Sequence, residues 1–211
     1  MLTITLKLVI SYLLGSLNGS LVLGRFRGID IRNEGSGNAG GTNALRTHGR
    51  LFALGVIVID VRKSVLATGW VAGAGLLGEA ATGVSATWIT LACGAAAVVG
   101  HCWPVLYGFR GGKGMATLLG VYLVIAPALI LIMLMVWLVT VGFTGYVGLA
   151  TILGAAAVPL WMIASGVPLT APLAVFGIAM ALMIVFTHRS NIARMKSGEE
   201  ARFSWSWLAR R

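Results

Sequence analysis

Long apolar runs, separated by short polar and basic segments, dominate the chain. The first covers residues 2–24 and ends at Arg25 and Arg27, and the next two cover 51–78 and 85–106, joined by a short turn around Glu79. From 114 to 187 there is no charged residue at all. The strands of a membrane β-barrel alternate apolar with polar positions, and these runs do not. Each of the first three is predominantly apolar and reaches about the 20 residues that a membrane-crossing helix needs. The pattern predicts an all-α, polytopic transmembrane bundle.

Charge placement orients it. Basic residues cluster at 25–50, 62–63, 110–113 and 189–211, with Lys7 the one outlier. Cytoplasmic loops carry the excess of Lys and Arg, so these segments are expected inside and the N-terminus outside. Both Lys113 and Arg189 then lie inside, and an even number of crossings must fit between them. Four fit if some are short, with breaks near Pro127, Gly142–Gly145 and Ser165–Pro168. The expectation is seven helices, N-terminus out and C-terminus cytoplasmic, in one domain spanning 1–211. The first run lacks the small-residue cleavage site of a secretory signal and reads as a retained span. Trp205 and Trp207, set among arginines, read as interfacial anchors.

Composition agrees: of 211 residues, 58% are hydrophobic and 10% charged, against roughly 25% charged in soluble domains. The net charge of +10 would suggest nucleic acid in a soluble protein. Here its partner is the anionic lipid headgroup, and no nucleic acid is expected. Cys93 and Cys102 make neither a disulfide framework nor a zinc site and read as small packing residues.

Three polar stretches stand out. The first, "RNEGSGNAGGTNALR" (32–46), contains G-x-G-x-x-G, but no hydrophobic strand precedes it, as a dinucleotide fold requires. The second, "GHCWPVLYGFRGGKGMAT" (100–117), resembles a P-loop and fails as one: Gly114 follows Lys113 where Ser or Thr is needed, and Tyr107 occupies the first glycine position. The third, "HRSNIARMKSGEE" (188–200), follows the last span. Glycines let backbone N–H groups approach an anion, and Ser, Thr and Asn add neutral donors. Arg46 suits bidentate phosphate contact and Lys113 a point contact. His101 and His188 can give or accept a proton. By the topology above, all three stretches meet at one membrane face. A plain turn needs about four residues, whereas the first connection spends more than twenty.

Asp60 and Lys63, three apart on one helical face, can pair. They read either as an interfacial pair or as a border of the site, and both readings stand. Asp30 and Asp60 are the only aspartates, and no Ser-His-Asp set, carboxylate cluster or His-x4-Asp pair is apparent. No metal or cofactor is expected.

Taken together, "GSGNAGGTNALR" (35–46), the second stretch and the third resemble, in order and on a chain of matching size, the bacterial acyl-phosphate-dependent glycerol-3-phosphate acyltransferases. Two departures are Arg110, where a lysine is common, and Ser64, where glycine follows the lysine. The resemblance implies a seven-helix fold with a cytoplasmic-face active site in the bacterial inner membrane. It implies acyl transfer from acyl phosphate, not acyl-CoA or acyl carrier protein, to glycerol 3-phosphate, giving lysophosphatidate. On that reading Ser36, Lys113, His188 and Asn191 are the catalytic candidates. Gly35, Gly37, Asn38, Thr42, Asn43, Arg46, Gly111, Gly112, Gly114 and His101 would bind phosphate, and Asp60, Lys63, Arg110, Arg194 and Glu200 form an outer set. Attack is direct, with His188 or the donor's own phosphate as base; a covalent acyl-Ser36 intermediate is the rival. The soluble enzyme that makes acyl phosphate is a candidate partner. An alternative from another class is a small organic-phosphate transporter, which usually carries an internal repeat; none is visible.

Overall fold

The computed structural model describes residues 1–75, 83–204 and 207. Among them are nine α-helices and no strand: α1 Leu2–Ser16, α2 Gly19–Arg27, α3 Gly41–Val65, α4 Ala86–Cys102, α5 Met115–Ile125, α6 Ala128–Thr144, α7 Val147–Ala164, α8 Pro172–Thr187 and α9 Arg189–Ser197. The chain divides into two compact units, Met1–Ile125 and Ala126–Arg210. The turn around Glu79 and Trp205 lie outside the described residues.

Nine helices stand where seven were expected because the first apolar run breaks in two and the polar stretch after the last run forms a helix of its own. In the first, Asn18 leaves the helix and its Oδ1 accepts the N–H groups of Ser20 and Leu21 at 3.1 and 3.4 Å. This N-cap starts a new helix, α2, bent 47° from α1. One asparagine scarcely alters the hydropathy of such a run, although its side chain competes directly for backbone N–H groups. At the far end, α9 turns 50° from α8 at His188. The breaks expected within 114–187 all occur, at 126–127, 145–146 and 165–171. With 11 residues, α5 is about 16 Å long, roughly half the hydrocarbon thickness. Among the described residues, two stretches are individually long and apolar enough to cross, Ala86–Tyr107 and Val147–Ala164.

The first polar connection is shorter than expected. α2 reaches Arg27 and α3 begins at Gly41, which leaves 28–40 as the linking segment, including one 3-10 turn at Ile31–Asn33. α3 itself kinks at Gly49, whose φ of 79° places it in the left-handed region. Beyond Val65 the chain continues as π-helical turns over Leu66–Val71. The ammonium of Lys7, buried on α1, donates to the Ala72 carbonyl just after them at 2.9 Å. This explains the one basic residue outside the clusters.

Within the first unit, α1 and α4 touch backbone to backbone. A Cβ on Gly15 would collide with the Ala97 carbonyl, and one on Gly100 with that of Tyr12. Small residues permit such approach in lipid, where no hydrophobic force draws helices together. Cys93 and Cys102 are buried and free, as packing residues should be. In the second unit, Phe203 N–H donates to the Gly145 carbonyl at 2.7 Å, and Arg202 lies over the Tyr146 ring. The tail therefore straps the α6–α7 turn. Trp207 is buried and packs edge-on against Phe203, with centroids 5.6 Å apart, rather than standing out as an anchor.

Gly100→Leu should lower the thermal midpoint in detergent, by an amount equivalent to about 1–3 kcal/mol of overpacking. Gly142→Ala, where a Cβ meets nothing within 4 Å, should leave the midpoint unchanged or raise it.

Candidate active site

The polar stretch of the first unit is built around one side chain. Buried Asn43 accepts the Ser36 N–H at 2.9 Å and Arg46 Nη2 at 3.0 Å through Oδ1. Its Nδ2 donates to the carbonyls of Ile31 and Glu34 at 3.2 and 3.0 Å. Two lone pairs and two N–H groups are all an amide has, so Asn43 is committed within the protein. The expectation that it contacts substrate oxygens gives way to a framework role: it shapes the turn and steers Arg46. Gly35 and Gly37 adopt φ of 57° and 71°, which the turn's path around Asn43 requires. A Cβ on Gly35 would strike the Asn43 amide oxygen.

The groups left facing outward are Gly35, Ser36, Gly37 and Thr42, all exposed, with Asn38 and Arg46 half-buried. The N-cap of α3 is Gly40, which offers no side chain to the first N–H groups of the helix. An uncapped helix N-terminus of this kind is an anion site in waiting. Ser36 precedes this N-terminus in the linking segment and Arg46 follows it on α3, both bonded to Asn43 Oδ1.

The second stretch packs beneath the first. Gly111 and Gly112 donate their N–H groups to the carbonyls of Cys102 and His101, both at 3.1 Å. These two glycines were expected to offer N–H groups to phosphate; here the groups fold the loop back against the end of α4. Only glycine fits there, because a Cβ on Gly112 would collide with the His101 ring and approach the Ala39 carbonyl. Gly108 and Phe109 both take positive φ, 66° and 59°. The loop then delivers half-buried Lys113 and buried Gly114 to the start of α5, while Arg110 stays exposed.

Arg32 ties the two loops, a residue not singled out from the sequence. Its guanidinium grips Asp30, with Nη2–Oδ2 at 2.7 Å and Nε–Oδ1 at 2.9 Å. Nη1 reaches the carbonyls of Tyr107 and Arg110 at 2.9 and 3.2 Å. The bidentate bond holds the Asp30 carboxyl below the ordinary carboxylate range. The signal was present in the Asp-x-Arg spacing, but its target is remote in sequence.

Asp60, Lys63 and His101 meet in one buried network. Asp60 and Lys63 are 1% and 4% exposed, so the pair expected from their spacing is buried within the protein. Lys63 Nζ bonds Asp60 Oδ1 at 2.8 Å, the Leu17 carbonyl at 3.2 Å and His101 Nδ1 at 2.9 Å. Asp60 Oδ1 also accepts the Gly19 N–H at 3.0 Å, at the start of α2. Asn18 Nδ2 donates to the Ala39 carbonyl at 3.1 Å. The α1–α2 break, α3, α4 and the first glycine turn are thereby joined.

In the second unit, His188 ends α8 and is buried. Its Nδ1 lies 2.8 Å from the Ile184 carbonyl; a carbonyl only accepts, so Nδ1 carries a proton, and in the neutral ring the lone pair is on Nε2. Asn191 seats against Gly148 of α7 and donates to Glu200 Oε1 at 2.6 Å. Arg194 Nε donates to Glu200 Oε2 at 2.7 Å. Glu200 thus brackets Asn191 and Arg194 across the end of α9.

Residues 5–198 match the model of a family described as glycerol-3-phosphate acyltransferase. The chain belongs to that family. The acyltransferase is 45% identical to a glycerol-3-phosphate acyltransferase of Geobacter metallireducens, over 96% of this chain and 99% of the relative. It is 40% identical to one from Desulforudis audaxviator, over 97% and 98%. A solved structure described as PlsY (YgiH), an integral membrane glycerol 3-phosphate acyltransferase in the glycerol 3-phosphate form, superposes with a TM-score of 0.82 at 31% identity, covering 99% of each chain. A second, of the lysophosphatidic acid form, gives 0.77 at 29%. The transporter reading falls with this, and the fold is that of an integral membrane enzyme.

Asn43→Leu should destabilise the acyltransferase by about 2–6 kcal/mol, since four bonds worth roughly 0.5–1.5 kcal/mol each are lost; a detergent melting curve checks this. Asp30→Asn should melt below wild type at neutral pH. The folded Asp30 carboxyl titrates below the unfolded one, so its contribution is present above the unfolded value and is lost as pH falls through the folded one. The gap between the two proteins should therefore close below about pH 4.

Proposed function

We propose that this acyltransferase moves a fatty acyl group from acyl phosphate to glycerol 3-phosphate, giving lysophosphatidate and inorganic phosphate, the first acylation of phospholipid synthesis. The observation that carries the reading is the glycine turn at the uncapped start of α3. It holds the Ser36 N–H and Arg46 on the same Asn43 oxygen, with Ser36 and Thr42 exposed and Asn38 half-buried in the same segment. Both substrates are phosphate anions that repel each other, and holding them together demands preorganised donors and cations. Arg46 and Lys113 supply the charge, with Gly114 standing between Lys113 and the start of α5. Acyl phosphate brings its own good leaving group, which suits a site without an evident catalytic triad.

In the reaction, a glycerol 3-phosphate hydroxyl oxygen bonds the acyl carbon, and the bond from that carbon to the phosphate oxygen breaks. Phosphate leaves with the electron pair. The hydroxyl proton passes to the leaving phosphate or to His188, whose Nε2 lone pair is set by the Ile184 bond. Asn191, held by Glu200, orients the incoming alcohol together with His188. The two units act as one acyltransferase domain across 1–211. The distribution of the basic segments supports a site on the cytoplasmic face of the inner membrane, with the N-terminus outside. There a soluble enzyme making acyl phosphate can deliver the donor.

Purified protein in lipid, given glycerol 3-phosphate, should form lysophosphatidate from palmitoyl phosphate and none from palmitoyl-CoA or palmitoyl carrier protein. Lys113→Ala and Arg46→Ala should each lower kcat/KM by about 10²-fold or more, as expected when a charged hydrogen bond of about 3 kcal/mol is lost; an intact Lys113→Ala enzyme would remove the electrostatic part of the account. Radiolabel retained on the protein after exposure to donor alone would favour the covalent Ser36 route over direct attack.

A further inference from the structure

Each unit holds one buried histidine, His101 in the first and His188 in the second, and their neighbours give them opposite proton arrangements. His188 Nδ1 faces a carbonyl, which can only accept. His101 Nδ1 faces donors. Lys63 Nζ lies 2.9 Å away and Asn18 Nδ2 at 3.5 Å. The Asn18 amide is oriented by its other end, since Oδ1 accepts from the N–H and hydroxyl of Ser20 at 3.1 and 2.9 Å. An ammonium has three hydrogens and no lone pair. Lys63 has three acceptors, the Leu17 carbonyl, Asp60 Oδ1 and His101 Nδ1. The Asp60 Oδ1 contact to the ring is longer, 3.3 Å, and that oxygen already accepts from Lys63 and from Gly19 N–H.

We propose that Lys63 is a positioning residue that fixes His101 as the neutral Nε2–H tautomer, so that His101 presents an N–H donor to the glycine loop at Gly112 and is not a base. The ring's far edge faces Gly112, where any side chain would displace it, and the Ala39 carbonyl of the first turn lies alongside. Asp60 balances the buried ammonium and caps the start of α2, keeping Lys63 aimed. A donor at this place suits a phosphate oxygen, a role that rests on the function proposed above; the tautomer itself does not.

The chain has three histidines, which makes the ring directly observable. Nitrogen-15 spectra of the full-length protein in lipid nanodiscs, with ring-labelled histidine near neutral pH, distinguish the two tautomers and the imidazolium. The His101 signal is the one lost in His101→Gln. Wild type should show Nε2–H, and Lys63→Met should convert the ring to Nδ1–H, donating to Asp60. A wild-type Nδ1–H or doubly protonated ring overturns the proposal, as does a folded Lys63→Met protein that keeps Nε2–H. Should Lys63→Met not fold, the wild-type spectrum and the amide variants still decide. A glutamine amide can stand in for Nε2–H and an asparagine amide for Nδ1–H, so His101→Gln should exceed His101→Asn in kcat/KM by about tenfold, the effect of one hydrogen bond. The reverse order overturns the donor assignment. Failure of acyl transfer with every donor, alongside an Nε2–H signal, would refute the function and leave the tautomer standing.

Discussion

A single buried ammonium organises the first unit. Lys63 sits where the α1–α2 break, α3 and the end of α4 converge, and its three hydrogens reach one acceptor on each. Removing a partner from a buried ion pair typically costs about 3–5 kcal/mol, whereas the pair itself adds little over apolar packing. Its worth is positional. An ammonium tolerates a given arrangement only if all its hydrogens are met, so the three elements can assemble in one way. In lipid, where helix packing lacks a hydrophobic drive, such a constraint settles register where greasy contact would not.

From that point the order spreads to both glycine loops. Asn18 caps α2 and holds the Ala39 carbonyl, while His101 and Cys102 receive the N–H groups of Gly112 and Gly111. Arg32 closes the arrangement from the surface by joining Asp30 to the Tyr107 and Arg110 carbonyls. Loops that bind phosphate must hold their donors fixed before the ligand arrives, since the gain in rate comes from avoided reorganisation. Much of the polar inventory of this protein therefore serves other polar groups. Asn43 spends its whole amide on shaping one turn.

The second unit follows the same logic with different parts. The Ile184 carbonyl sets the His188 tautomer, and Glu200 draws Asn191 and Arg194 together. The tail returns to the α6–α7 turn through the Phe203 N–H and Arg202. The two histidines show how identical side chains acquire opposite capacities. A carbonyl beside Nδ1 makes an acceptor of the far nitrogen, and an ammonium beside Nδ1 makes a donor of it.

The sequence by itself determined the class, the apolar segments, the breaks within 114–187 and the family. Hydropathy, helix-breaking residues and long motifs are local properties, legible without knowing what lies opposite. It also marked Asp60 and Lys63 as partners, because a spacing of three on a helix is local too. Tertiary structure decided the rest. The break at Asn18 depends on capping geometry that hydropathy averages away, and nine helices replaced seven. The partners of Arg32 and His101 lie some forty to eighty residues away, beyond any local pattern. Which glycine N–H groups face outward and which are spent on carbonyls is settled only when the loop meets the end of α4. A motif names the residues that must be present; only the folded surroundings tell a ligand-facing donor from one that holds the site in shape.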